Sequence, residues 1–155
     1  MNRVKKVLAT GTAAGFLLFE IAAPAEAAAC FRPPEIEADQ AMRYQTQLMV
    51  LDDTCGGDFY RDFTVRNREQ IMAYQTELKD YFRRVGARSP AASLDSFLTR
   101  IANELALREG QSERAEVCAR EATVIAEART LDTTHFKSLA AALATENRSS
   151  YKSCR

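Results

Sequence analysis

The sequence predicts an all-α fold: a disulfide-linked, up-and-down bundle of four to five helices. Three observations carry this. From residue 35 onward, apolar residues recur at three- and four-residue steps, the period of a helix buried along one face. No run alternates with period two for long enough to make a strand. The cysteines, Cys30, Cys55, Cys118 and Cys154, are even in number and contain no C-x-x-C, the pattern of two bridges.

The chain opens on a leader. Arg3, Lys5 and Lys6 make a basic head, residues 7–19 run apolar or small, and Ala25-Glu26-Ala27 is a small-x-small cleavage site. This is the three-part form of a secretory signal peptide over residues 1–27, cut after Ala27 or Ala29. The apolar run is shorter than the ~20 residues of a membrane-spanning helix. No second hydrophobic segment follows, so no transmembrane segment is expected. A lipid anchor on Cys30 is the alternative fate of this region. A lipoprotein site takes a bulky aliphatic residue three positions before the cysteine, where this chain has Ala27. Ordinary cleavage, with Cys30 as a bridge cysteine, fits better.

Residues 28–155 then form one helical domain, on length alone. Phe31-Arg32-Pro33-Pro34 is an extended lead-in, because proline disfavours helix in the residue before it. The first helix starts near Glu35 and turns Ala41, Tyr44, Leu48 and Leu51 inward, with Met42 and Met49 beside them. Cys55 continues the stripe, Gly56-Gly57 stops it, and Asp58 is the N-cap of the next helix. That second helix runs on through Tyr60, Phe63, Ile71, Tyr74, Leu78, Phe82 and Val85, with Tyr81 at the edge of the face and Asn67 on the apolar seam. Gly86 to Pro90 make a turn, Ser89 capping and Pro90 in the first helical position.

Leu94, Phe97, Leu98, Ile101 and Leu105 carry the third helix. The pattern weakens over Arg108-Glu109-Gly110-Gln111-Ser112, where a break and a bend read alike. It resumes with Ala115, Cys118, Ala122, Ile125 and Ala126 inward and Val117 and Val124 on a flanking row. Asp132-Thr133-Thr134 cap a last helix with Phe136, Leu139, Ala140 and Leu143 inward. Residues 147–155 are a polar tail ending at Cys154.

Cys55–Cys118 and Cys30–Cys154 is the expected pairing of the three available. A helix from Glu35 to Asp52 is about 27 Å long. The residues leading back to Cys30 can return about 17 Å. The gap left for Cys30–Cys55 exceeds the ~7 Å that a bridge spans. A hairpin about Arg88-Ser89 brings Cys118 beside Cys55, provided the chain does not reverse at Gly110. Cys30 and Cys154 then meet near the two ends of the mature chain.

Composition excludes several functions. The chain has 21 basic and 21 acidic residues, and the leader removes Arg3, Lys5, Lys6, Glu20 and Glu26, leaving one net negative charge. Nothing draws it to nucleic acid or anionic lipid. Without C-x-x-C, a zinc site or covalent haem is not expected. His135 is the only histidine, in the first turn of a short helix, and there is no G-x-S-x-G; a Ser-His-Asp site is not expected. Gly-rich phosphate loops are absent, and there is no Trp to stack a sugar beside a glycosidase carboxylate pair. The remaining acidic cluster is Asp52, Asp53, Asp58 and Asp62. Asp58 and Asp62 share a helix face, but the spacing matches no calcium loop, and helix-end acids explain it. No catalytic or metal-ligating residue and no cofactor is predicted. Asn67 and Asn103 are the candidate polar seam between helices.

The segments RYQTQLMVLDDTCGGDFYRDF, LKDYFRR and LDSFLTRIANELA, followed by Cys118, resemble a group of small exported bacterial proteins with four cysteines. Thr99, Ala102 and Asn103 match its Thr-x-x-Ala-Asn segment. The resemblance covers about residues 40–120. It implies export and a helical fold, and brings no activity with it. A second resemblance, resting on Cys30, a helix and Cys55, is to small periplasmic helical inhibitors of lysozyme; the later aromatic and cysteine pattern of that group is missing.

The expectation is a periplasmic or secreted non-enzymatic module that binds an unknown protein or envelope partner. The rivals are a small hydrolase or metal-dependent enzyme using Asp58 and Asp62, and an enzyme inhibitor. A closed surface favours the first; carboxylates converging in a pocket would favour an enzyme.

Overall fold

The computed structural model describes residues 30–154. The leader, its cleavage site and Arg155 lie outside the described residues. Seven α-helices occupy most of the rest: α1 (Pro33–Cys55), α2 (Phe59–Arg66), α3 (Arg68–Arg84), α4 (Pro90–Glu109), α5 (Arg114–Arg120), α6 (Ala122–Ala128) and α7 (Thr133–Glu146). A 3-10 turn, Arg148–Ser150, follows. The fold is all-α and disulfide-linked. Among the described residues no helix is long and apolar enough to cross a membrane.

Seven helices exceed the four to five that periodicity predicts, because two rods are each interrupted at one residue. Asn67 (φ −106°, ψ 14°) separates α2 from α3, and Glu121 (φ −92°, ψ 8°) separates α5 from α6. The i→i−4 ladder runs through both: Asn67 N donates to Phe63 O, and Ile71 N to Asn67 O, at 2.9 Å each. The apolar stripe therefore continues across the interruption, and sequence periodicity does not register it. At Gly110 the chain does break. α4 ends there and α5 begins four residues later.

The first helix is the hub: α1 packs against all six others, while α3 packs on α4 and α2 on α6. Its surroundings explain its burial. From Glu35 to Met42 every residue but Glu37 is buried, so one apolar stripe is not enough to describe it. The helix also starts earlier than expected, at Pro33. Proline lacks only an N–H that the first turn leaves unpaired anyway, so Pro33-Pro34 begin the helix rather than precede it. Arg32 N donates to Glu35 Oε2 at 2.7 Å and closes that end.

The turn to α2 uses Gly56 and Gly57 at φ 73° and 135°, backbone that side chains rarely adopt. Ser89 accepts from Ala92 N ahead of Pro90, and Asp132 accepts from His135 N at 2.9 Å. The core gathers Tyr44, Leu48, Phe63, Tyr74, Leu78, Phe97, Ile101 and Phe136.

Two expected faces need correction. Met49 is exposed. In the fifth and sixth helices Val117 and Ala128 are buried, while Ala115, Ala122 and Ala126 are exposed. Val117, from the row that read as flanking, is the buried one, while Val124 and the expected Ile125 are both half-buried against the core. Alanines bury little area, so the larger Val117, Val124 and Ile125 outweigh three alanines in choosing the face.

Cys55 is joined to Cys118 (Cα–Cα 5.6 Å) and Cys30 to Cys154 (5.0 Å). The break at Gly110 does not undo the first bridge, because α5 turns onto α1 rather than away from it.

Candidate functional site

The acids around Cys55 do not converge on one point. Asp58 stands at the N-cap position of α2 but its side chain makes no cap bond. It lies 3.3 Å from Arg61, which also reaches Asp62 at 3.6 Å, and all three are exposed. Asp52 turns away and accepts from Tyr60 N. Among the described residues no group of three or more His, Cys, Asp or Glu could hold a metal. His135 is exposed, with Nδ1 2.9 Å from Asp132 Oδ1.

Asn67 does bond across a seam. Its fully buried Nδ2 donates to Phe63 O (3.0 Å) and to Leu131 O (3.1 Å) in the α6–α7 connection. Asn103 is not part of that seam. It is exposed on α4, where it lines a shallow groove with Thr99 and Gln45. It stands two residues past the buried Ile101, about 200° around the helix, which turns it away from the core.

Three carboxylates that periodicity did not single out are buried: Glu35, Asp39 and Glu109. Each has arginine beside it. Glu35 takes Arg84, which also donates to Cys30 O at 2.8 Å. Asp39 takes Arg43 Nε at 2.8 Å and the Tyr151 hydroxyl, and Glu109 takes Arg108 and Arg120. A buried charge left alone would cost several kcal/mol, so these pairs are conditions for the fold rather than additions to it. The tail is consequently no loose end. Tyr151 also meets Gln40, and Asn147 Nδ2 donates to Gln40 Oε1 at 3.2 Å.

This gives an expected pH response. Burial, then the hydrogen bond to Asp39, pushes the Tyr151 hydroxyl up from 10.0 to about 12. Burial also raises Tyr44, with Glu127 adding to it, and raises Tyr74, whose hydroxyl donates to Glu37 at 2.8 Å. The unfolded phenols ionise near pH 10 while the folded ones stay neutral, so their contribution is complete below pH 10 and is lost as pH rises toward 12. Thermal melts at pH 9, 10 and 11 should show a falling midpoint. Tyr151→Phe should make that fall shallower, and an equal slope in both proteins would refute the assignment.

Two sizeable clefts with largely apolar floors stand out among the described residues: one of about 630 Å³ beside Met49, Val50 and Ala106, and one where α4 on one side, and α6 and α7 on the other, pack onto α1; the second holds Tyr44. The Tyr44 cleft has a volume of about 520 Å³. The α1 wall is Gln40, Arg43, Tyr44 and Gln47, and the α4 wall repeats the same spacing with Ile101, Glu104, Leu105 and Arg108. Spacing of i, i+3, i+4 and i+7 puts each set on one helix face. Val124, Leu139 and Leu143 close the third side, and Glu127 stands with them. Leu105, Leu139 and Leu143 are half-buried rather than core. The tyrosine read as core, Tyr44, is buried, but its hydroxyl has no hydrogen-bond partner. The signal for this cleft in the sequence is the polar residues interleaved with the apolar stripes at 40, 43, 47, 104 and 108.

The sulfur of Cys30 is bonded to that of Cys154. No protein-family model, no curated protein and no solved structure matches this chain.

Proposed function

We propose that this protein is an exported, non-enzymatic helical module that binds a small amphipathic ligand in the cleft between α1, α4, α6 and α7. One observation carries the ligand reading: the buried Tyr44 hydroxyl, unpartnered in the wall of an apolar-floored cleft. Buried polar groups in proteins are as a rule hydrogen-bonded. The hydroxyl oxygen is closed off from solvent, so a ligand's polar atom supplies the missing partner when the Tyr44 ring tips toward the cleft, and its apolar part covers Leu105, Leu139 and Leu143. The volume lies within the ~300–1,000 Å³ of small-molecule sites. Export is supported by the basic head, apolar run and small-x-small site of the leader. Two disulfides fit an oxidising compartment.

Native mass spectrometry of protein recovered from the envelope or medium tests the proposal. The chain should begin at Ala28 or Cys30, and it should carry a non-protein mass that a Leu143→Arg variant of unchanged melting temperature does not retain. A bare chain, or an adduct indifferent to the substitution, would overturn the ligand reading.

A further inference from the structure

The charges around the cleft say which amphiphile it takes. Four charged side chains line it: Arg43, Arg108, Glu104 and Glu127. They are not equivalent. Arg43 is already engaged by the buried Asp39, and Arg108 by the buried Glu109. Glu109 takes Arg120 as well, and Arg120 in turn meets Glu121. Neither Glu104 nor Glu127 makes a side-chain hydrogen bond or ion pair among the described residues, and both are exposed. The arginines are therefore neutralised from below, and the rim keeps two unanswered negative charges on opposite sides, one on α4 and one on α6.

We propose that the cleft takes an amphiphile with a protonated amine head, its apolar body over Leu105, Leu139 and Leu143 and its ammonium group beside Glu127, Glu104 and the Tyr44 hydroxyl. An ammonium group has three N–H donors and no acceptor. Two carboxylates and a phenol oxygen are acceptors that suit it. Glu127 and Tyr44 both line the cleft, and after burial the Glu127 charge is what holds the Tyr44 phenol proton more firmly. A carboxylate head of the same length would face two like charges. A neutral alcohol would answer Tyr44 but leave both glutamates unanswered. This inference rests on the cleft being a ligand site.

The test uses the mature, disulfide-bonded chain and three probes with one alkyl chain: decylamine, decanol and decanoate. Titration calorimetry is run at pH 7 below their aggregation concentrations. The amine should bind at least ten-fold more tightly than the alcohol, and decanoate more weakly than either. Glu104→Gln with Glu127→Gln should bring the amine within about two-fold of the alcohol and leave the alcohol unchanged. Both are exposed positions, and an unchanged melting temperature confirms folding. Equal binding of amine and alcohol, lost together in Leu143→Arg, would keep the cleft as a site and overturn the amine assignment. An amine preference that survives the double substitution would overturn it too. Binding of none of the three probes would overturn the ligand reading itself, and the amine assignment with it.

Discussion

Phe136→Ala should destabilise the domain by about 3–5 kcal/mol, the upper range for truncating a core aromatic. Phe136 is fully buried in the first turn of α7, directly after the Asp132 cap. Its ring centre lies 5.0 Å from Phe63, 5.7 Å from Tyr74 and 6.2 Å from Tyr44. Those three residues come from α2, α3 and α1, so a single side chain ties four helices together. Removal leaves a cavity that no one helix can fill by moving, because each is held by the others. Edge-to-face contacts with Phe63 and Tyr74 are lost as well, each worth about 0.5–1.5 kcal/mol beyond area. For a domain of this size the loss corresponds to a melting temperature about 10–20 °C lower. Urea unfolding checks it, with Phe136→Leu as the milder comparison. A loss below about 1 kcal/mol would mean that the rings do not form the centre of the core.

How much of this was legible in the sequence depends on how local the cause is. Ser89-Pro90 and Asp132 act within one turn of chain, and the structure caps α4 and α7 there. Leu94, Phe97 and Ile101 make a single stripe on a helix with one buried side, and they are buried. The interruptions at Asn67 and Glu121 have causes elsewhere. Asn67 reaches Leu131 O, 64 residues on, and Glu121 takes Gln47, 74 residues back. Neither partner is visible in a window of sequence.

The same limit hid Glu35 and Asp39. A stripe reading sorts a helix into an inside and an outside, and charged residues fall outside by default. α1 has almost no outside near its start, so its acids are buried and must find Arg84, Arg43 and Tyr151. The cleft was hidden for the opposite reason. Leu105, Leu139 and Leu143 read as core, yet the helices that carry them meet α1 without closing on one another. Apolar periodicity identifies what leaves solvent when a neighbour is present; it does not say that the neighbour is close enough.

Replacing Cys30 and Cys154 together by serine should cost about 2–5 kcal/mol. The bridge spans 124 residues and the Cys55–Cys118 bridge spans 63. If both acted only by restricting the unfolded chain, doubling the loop would separate the two variants by only about 0.6 kcal/mol. The terminal bridge holds more than a loop. Phe31 N donates to Lys152 O at 2.8 Å and Cys154 N to Phe31 O at 2.9 Å, a two-bond clasp between the two ends of the described chain. Phe31 stacks on Tyr81 at 4.2 Å and meets Tyr151 edge-on at 5.2 Å. Tyr151 in turn covers Asp39. Opening the bridge lets the tail leave, and then Asp39 and Arg43 must rely on each other and on water. The terminal variant should therefore melt about 8–20 °C lower than the native protein, and lower than the Cys55→Ser/Cys118→Ser variant by more than the loop lengths explain. Its Tyr151 should titrate closer to an ordinary phenol, which absorbance at high pH reads directly. Two variants separated only by the loop-length difference, with Tyr151 still titrating near pH 12, would show that the clasp stands without its disulfide and that the tail is held by Tyr151 and Phe31 alone.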